Sequence, residues 1–161
     1  MHQPHIQILE YTPAHQPWFE KFNRQWIEKF FAMEAPDFQI LQDPDKYILK
    51  PGGFILMATF DNELAGTVAM KRVTPEVFEL TKMAVDEKFR GKKIGLALAG
   101  AAVAKARQTG AVKIFLYSNT TLQAAVALYR KLGFTEIPVD GPYNRTNIKM
   151  QLILAKPSAE A

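Results

Sequence analysis

ELTKMAVDEKFRGKKIG, Glu79 to Gly95, runs from an alternating apolar segment into a basic, glycine-containing loop and straight on into an alanine-rich helical pattern. Backbone N–H groups in the first turn of a helix have no intrahelical partner, and the helix dipole adds partial positive charge there. A loop that delivers Arg90, Lys92 and Lys93 to such a helix start suits an anion, a pyrophosphate above all. A solvated basic helix start is the alternative reading of this motif alone.

Two other phosphate motifs fail on spacing. A P-loop needs Gly-Lys followed by Ser or Thr to hold magnesium, and here Lys92 and Lys93 are followed by Ile94. A dinucleotide fingerprint needs G-x-G-x-x-G after a first strand, with an acidic ribose partner about 20 residues on, which Gly91 and Gly95 do not supply.

A second stretch, YSNTTLQAAVALYRKLGF, Tyr117 to Phe134, reads as a strand end, an asparagine, and a helix closing on Leu-Tyr-x-x-Leu-Gly-Phe. Together the two stretches resemble the paired signatures of the GNAT N-acetyltransferase superfamily, in the family's order and over about a third of the chain. The acyl-CoA loop of that family runs Arg or Gln, two residues, Gly, one residue, then Gly or Ala. Arg90 takes the first place and Gly95 the last, while Lys93 stands where the middle glycine is usual. If the loop needs a positive φ there, lysine meets a steric penalty that glycine avoids. Gly91 keeps the frequent Arg-Gly-Lys form.

The resemblance implies an α/β (α+β) fold: a mixed central sheet of about six or seven strands, flanked by helices on both faces. Its two central parallel strands, here those ending at Val85 and Tyr117, would splay apart to admit the pantetheine arm of acetyl-CoA. Acetyl-CoA is thus the expected co-substrate, with no metal. The cofactor-binding set carried over is Met83, Ala84 and Val85 on the strand, Arg90, Gly91, Lys92, Lys93, Ile94, Gly95 and Leu96 at the loop, and Asn119, Leu128, Tyr129 and Lys131 beyond.

Direct aminolysis of a thioester needs a neutral amine, yet an alkyl ammonium has a pKa of about 10.4, so a base or a proton-conducting water must act. Glu79 is the leading base candidate, alternating with Thr81, Met83 and Val85 on one strand face; the plain alternative is a solvent-exposed strand-end carboxylate. Backbone N–H groups at Met83 to Val85 would serve the oxyanion by resemblance. Tyr129 matches the family tyrosine that protonates the leaving thiolate, although on its own helix it shares a stripe with Leu122, Val126 and Leu132 and reads as core. Asn119 either bonds the pantetheine amides, as the resemblance implies, or merely caps the next helix.

Composition is compatible with this reading. The 161 residues suit a single domain spanning 1–161 and are enough to bury a core. The absence of cysteine excludes disulfides, zinc thiolate sites and a cysteine nucleophile, so an acyl-enzyme on a thiol is excluded as well. No apolar run approaches the roughly 20 residues of a membrane span, and the first residues lack signal-peptide character, so a cytoplasmic protein without a membrane partner is expected. The net charge of +4 raises nucleic acid as a partner, but the basic residues are dispersed among 16 acidic ones. The tight cluster, Lys88 to Lys93, coincides with the anion loop, so no nucleic-acid partner is expected. A homodimer is left open.

Along the chain, Ile6 to Glu10 alternates as a strand and Trp18 to Met33 follows a helical period, with Trp18, Phe22, Trp26, Phe30 and Met33 as the expected core stripe. Ala35 to Gly53 reads as irregular, with three prolines and with Asp37, Asp43 and Asp45 available to attract a cationic amine, or simply as a polar surface loop. Phe54 to Phe60 and Leu64 to Arg72 form a hairpin around Asp61-Asn62-Glu63. Val77 to Val85 is a strand and Ile94 to Thr109 a helix ended by Gly110. That helix carries a small face of Gly95, Ala97, Ala99, Gly100, Ala101, Ala102 and Ala104. Val112 to Tyr117, Leu122 to Leu132 and Asn147 to Ala155 are strand, helix and strand. A loop of Gly141, Pro142, Tyr143, Asn144 and Arg145 precedes the last strand, and by resemblance it overhangs the acceptor cleft. Arg145 holds an acceptor carboxylate there or is a surface arginine. His2, His5 and His15 lack metal-ligand spacing.

The expectation is an acetyl-CoA-dependent N-acetyltransferase acting on a primary amine of a small molecule, amino acid or peptide in a ternary complex. The alternative is a non-catalytic acyl-CoA-binding sensor of the same fold. The acceptor and the acyl-chain preference are not legible in the sequence.

Overall fold

The hairpin reading holds in the computed structural model, which describes residues 5–140 and 145–154. Strand β2 (Phe54–Phe60) pairs antiparallel with β3 (Glu63–Thr74), and Phe60 faces Glu63 across a two-residue turn. Asp61 and Asn62 fill that turn with φ of 49° and 70°, residue types that tolerate the left-handed region. Strand β1 (Ile6–Glu10) borders β2, and β4 (Val77–Val85) borders β3, both antiparallel. Helix α3 (Ile94–Gln108) then crosses over to β5 (Lys113–Ser118), which lies parallel to β4. Strand β7 (Ile148–Ile153) inserts between β5 and a short β6 (Thr135–Ile137) that the sequence pattern did not reveal. The seven strands run β1-β2-β3-β4-β5-β7-β6.

Both faces of the sheet are covered, which is why FILMA, Phe54 to Ala58 in β2, is apolar without alternation. Leu56 and Ala58 join the larger core, built with Leu98, Ala99, Ala102 and Ala106 of α3, whereas Ile55 and Met57 join a smaller one with Phe19, Ile40 and Leu41. Small residues do bring α3 close to the sheet, but the buried ones are Ala99, Ala102 and Ala106, while Ala104 is exposed. Gly110, at φ 87°, follows the helix as expected.

Two readings are corrected on the opposite face. Helix α1 spans Gln16–Phe30 and buries Phe19, Phe22, Asn23 and Ile27; of the expected stripe Phe22 is buried and Met33 packs against the smaller core, but Trp18 is 41% exposed and Phe30 47%. Both patterns are helical, and only contact with the sheet decides which neighbouring stripe turns inward. The stretch after it is not irregular, since α2 occupies Ala35–Gln42 and a single wide π-type turn Asp45–Leu49. Pro36 sits in the first turn, where its missing N–H costs nothing, and Glu34 and Asp37 form a reciprocal capping box in which Asp37 Oδ2 accepts from Glu34 N at 2.8 Å.

Candidate active site

The site is opened by a failure of strand pairing. β4 and β5 pair at Val77–Lys113, Phe78–Ile114 and Glu79–Phe115, and no further. Beyond Glu79 the two strands diverge, and a cavity of about 920 Å³ occupies the gap. A second irregularity lies on the other edge of β4, where its register with β3 shifts between Thr67 and Ala69. Lys82 adopts φ 52° at this bulge.

The cavity follows β4 from Glu79 through Met83, Ala84 and Val85 to the loop Arg90–Lys93 and the first turn of α3. Lys93 caps α3 in the left-handed region, φ 66° and ψ 22°, and Gly91 has φ 78°, so the loop does require a positive φ where lysine replaces the usual glycine. The N–H groups of Ile94, Gly95 and Leu96 open the helix without intrahelical partners. A Cβ on Gly95 would stand 3.3 Å from Leu128 Cδ1 and 3.9 Å from Met83 Cε, so glycine keeps β4, α3 and α4 (Gln123–Lys131) closely apposed at the gap. With three cationic side chains added, this mouth fits a pyrophosphate, and the gap fits an extended arm.

Asn119, Leu128, Tyr129 and Lys131 line the same cavity, so the fold brings together every residue expected at the site. Asn119 is already engaged: its amide donates to the Arg145 carbonyl at 2.6 Å, and its Oδ1 accepts from Thr121 N and Oγ1 at 2.9 and 2.8 Å. Tyr129 is 7% exposed, edge-on to Phe134 at 5.8 Å, and its burial raises the phenol pKa, so the hydroxyl stays protonated. Its core reading and its cavity position are therefore both realised. Glu79 is half-buried; burial pushes its carboxyl above the usual range, against the pull of Lys71, Lys82 and Lys149.

The loop before β7 is described only from Arg145, since residues 141–144 lie outside the described residues. Arg145 is not a surface arginine: its side chain is 11% exposed and forks onto Asp37 at 2.7 and 2.8 Å, with Glu34 at 3.3 Å. Asp37 also accepts from Lys82 Nζ at 2.9 Å. These charges hold the fully buried Asp37 carboxyl down to about 2, overcoming the upward push of burial. None of Asp37, Asp43 and Asp45 lines the cavity; Asp43 accepts from Lys46 N and Asp45 pairs with Lys50.

Trp26, Phe30, Phe31, Lys82 and Tyr117 also line the cavity and were missed as site residues. One was signalled: in VFELTKMAV, Lys82 has the parity of Phe78, Leu80 and Ala84, so an inward cation needed a buried partner. Among the described residues no cluster of His, Asp and Glu could hold a metal, and no helix is long and apolar enough to cross a membrane.

Comparison with known proteins bears on this geometry. The acetyltransferase (GNAT) family model matches residues 15–134, which contain both signatures and most of the cavity. The chain belongs to that family. A GNAT family acetyltransferase of Staphylococcus aureus superimposes with a TM-score of 0.84 at 21% identity, covering 93% of this chain and 99% of that one. YncA of Salmonella typhimurium, solved with its cofactor acetyl-CoA, gives 0.75 at 16% identity over 97% and 98% of the chains. At these identities the likeness is one of GNAT fold. In sequence, the chain is 40% identical to a mycothiol acetyltransferase of Thermobispora bispora over 67 residues, 42% of this chain and 23% of that protein. It is 31% identical to N-acetylaspartate synthetase of Mus musculus over 98 residues, 60% of this chain and 33% of that protein. The chain thus spans about a quarter to a third of the length of these two curated relatives.

Proposed function

We propose that this GNAT protein is an acetyl-CoA-dependent N-acetyltransferase, acting on a primary amine of a small molecule, amino acid or peptide within a ternary complex. The observation that carries the reading is the parting of β4 from β5 beyond Glu79, which joins an anion-binding loop to a half-buried carboxylate through one cavity. Acetyl-CoA, when bound, supplies the activated acyl group. Arg90, Lys92, Lys93 and the N–H groups opening α3 would hold its phosphates.

Glu79 takes a proton from the arriving ammonium and passes it to solvent, a task helped by the burial that raises its pKa above the ordinary carboxylate value. Backbone N–H groups of Met83 to Val85 that face the gap stabilise charge growing on the acyl oxygen. As the nitrogen–carbon bond forms and the carbon–sulfur bond breaks, Tyr129 gives its proton to the sulfur and regains one from the nitrogen. Burial keeps that phenol protonated, so it meets the sulfur as a hydrogen-bond donor.

Calorimetric titration with acetyl-CoA, with ATP as comparator, followed by thiol release over an amine panel, tests this reading. Saturable binding and amine-dependent thiol release, both slowed in turnover but not in binding by Glu79→Gln and Tyr129→Phe, are the expected results. Binding without turnover of any amine marks a sensor, and no saturable binding removes both readings.

A further inference from the structure

We propose that the acceptor is a primary monoamine with an apolar, preferably aromatic, body, its nitrogen at Glu79 and its body against Trp26, Phe30 and Phe31. This deepens the N-acetyltransferase reading and rests on it. The first support is the wall itself. All three aromatics come from the end of α1 or just beyond it and line the cavity that holds Glu79. Phe31 stands edge-on to Trp26, ring centres 6.2 Å apart at 89°, and the Arg145 guanidinium lies 5.8 Å from the Trp26 ring. Phe30 stays 47% exposed. Large apolar surface left open to water in a cavity leading to a carboxylate is stabilised by an apolar ligand that covers it.

The second support is charge. Among the described residues, the cations acting on Glu79 are Lys71, Lys82 and Lys149, with Arg145 close by. Each is matched: Lys82 and Arg145 by Asp37, Arg145 also by Glu34, Lys149 by Asp140 at 2.7 Å, and Lys71 by Glu79 itself, its partner in the β3–β4 register. A carboxylate on the acceptor would have to draw Arg145 or Lys82 away from a fully buried Asp37, stranding a charge in the interior. Further ammonium groups, as on a polyamine, would meet the lysines around Glu79. A single ammonium brings one charge to Glu79 and leaves both buried pairings of Asp37 intact.

The test is a matched series assayed by thiol release at saturating acetyl-CoA: phenethylamine, phenylalanine (which adds a carboxylate), spermidine (which adds ammonium groups) and ethylamine (which lacks the ring). Phenethylamine is expected to exceed ethylamine in kcat/KM by about tenfold or more, the worth of covering one ring, and to exceed phenylalanine and spermidine as well. Phe30→Ala should narrow the phenethylamine-to-ethylamine ratio by about the same factor. Preference for phenylalanine, spermidine or ethylamine overturns the assignment. So does acetyl-CoA binding with turnover of none of the four, an outcome that leaves the cofactor reading standing. Failure to bind acetyl-CoA overturns both.

Discussion

Lys93 caps α3 at a φ of 66°, a conformation that costs an L-residue about 1–2 kcal/mol and glycine almost nothing. Lys93→Gly is therefore expected to raise stability by about 1 kcal/mol in urea unfolding, with a drop in the urea midpoint as the contrary result. Keeping a strained lysine at an anion loop is consistent with a positive charge wanted there. Glu79 yields a pH prediction. A base must be ionised, and burial holds this carboxyl above the ordinary value of about 4.3, so kcat/KM should fall as pH drops through that raised pKa. Glu79→Gln is expected to lower kcat by about 10²-fold or more and to abolish this acidic limb in a pH–rate series. A variant that keeps the limb would assign it to another group.

At the level of elements, Asp37 ties three of them together: its own α2, the bulge of β4 through Lys82, and the lead into β7 through Arg145. Asp37→Asn leaves two buried cations short of their counter-charge and is expected to cost about 3–5 kcal/mol in chemical denaturation. Its folded pKa of about 2 lies below the unfolded value of about 3.9. The contribution of the ionised Asp37, on the order of 2.5 kcal/mol, is thus present above pH 4 and lost as pH falls towards 2. Acid titration followed by circular dichroism should show this loss in the native protein and not in Asp37→Asn. The prolines near Asp37 hid this cluster in the sequence, because they looked like breakers. Pro36 is in fact a first-turn residue, and the Glu34–Asp37 capping box was the signal that went unused.

For the whole molecule, a ligand that binds the folded state alone adds stability by mass action. Acetyl-CoA at a hundredfold over its Kd should contribute about 2.7 kcal/mol and raise Tm by roughly 5–10 °C in a chain of this size, while ATP at the same concentration does much less. Equal shifts with both would point to a site that reads only the phosphates. Much of the molecule was legible at this scale: β1, β2, β4 and α3 lie within a residue or so of their expected limits, and both signatures meet at one cavity. What escaped was short or depended on partners: β6 has three residues, too few to show a period, and the inward stripe of α1 is chosen by the sheet it meets.

Local chemistry settled what the sequence settled by itself. Helix and strand periods, the Asp61–Asn62 turn, the glycine at the end of α3, and the basic glycine-containing loop before it all act over a few residues, so their spacing is enough to read them. The parting of β4 from β5, the burial of Asp37 against Lys82 and Arg145, and the aromatic wall beside Glu79 were decided by tertiary structure alone. Each joins residues far apart in the chain, Arg145 and Asp37 by 108 positions, and neither period nor composition records which distant side chains a folded sheet will bring within hydrogen-bonding distance.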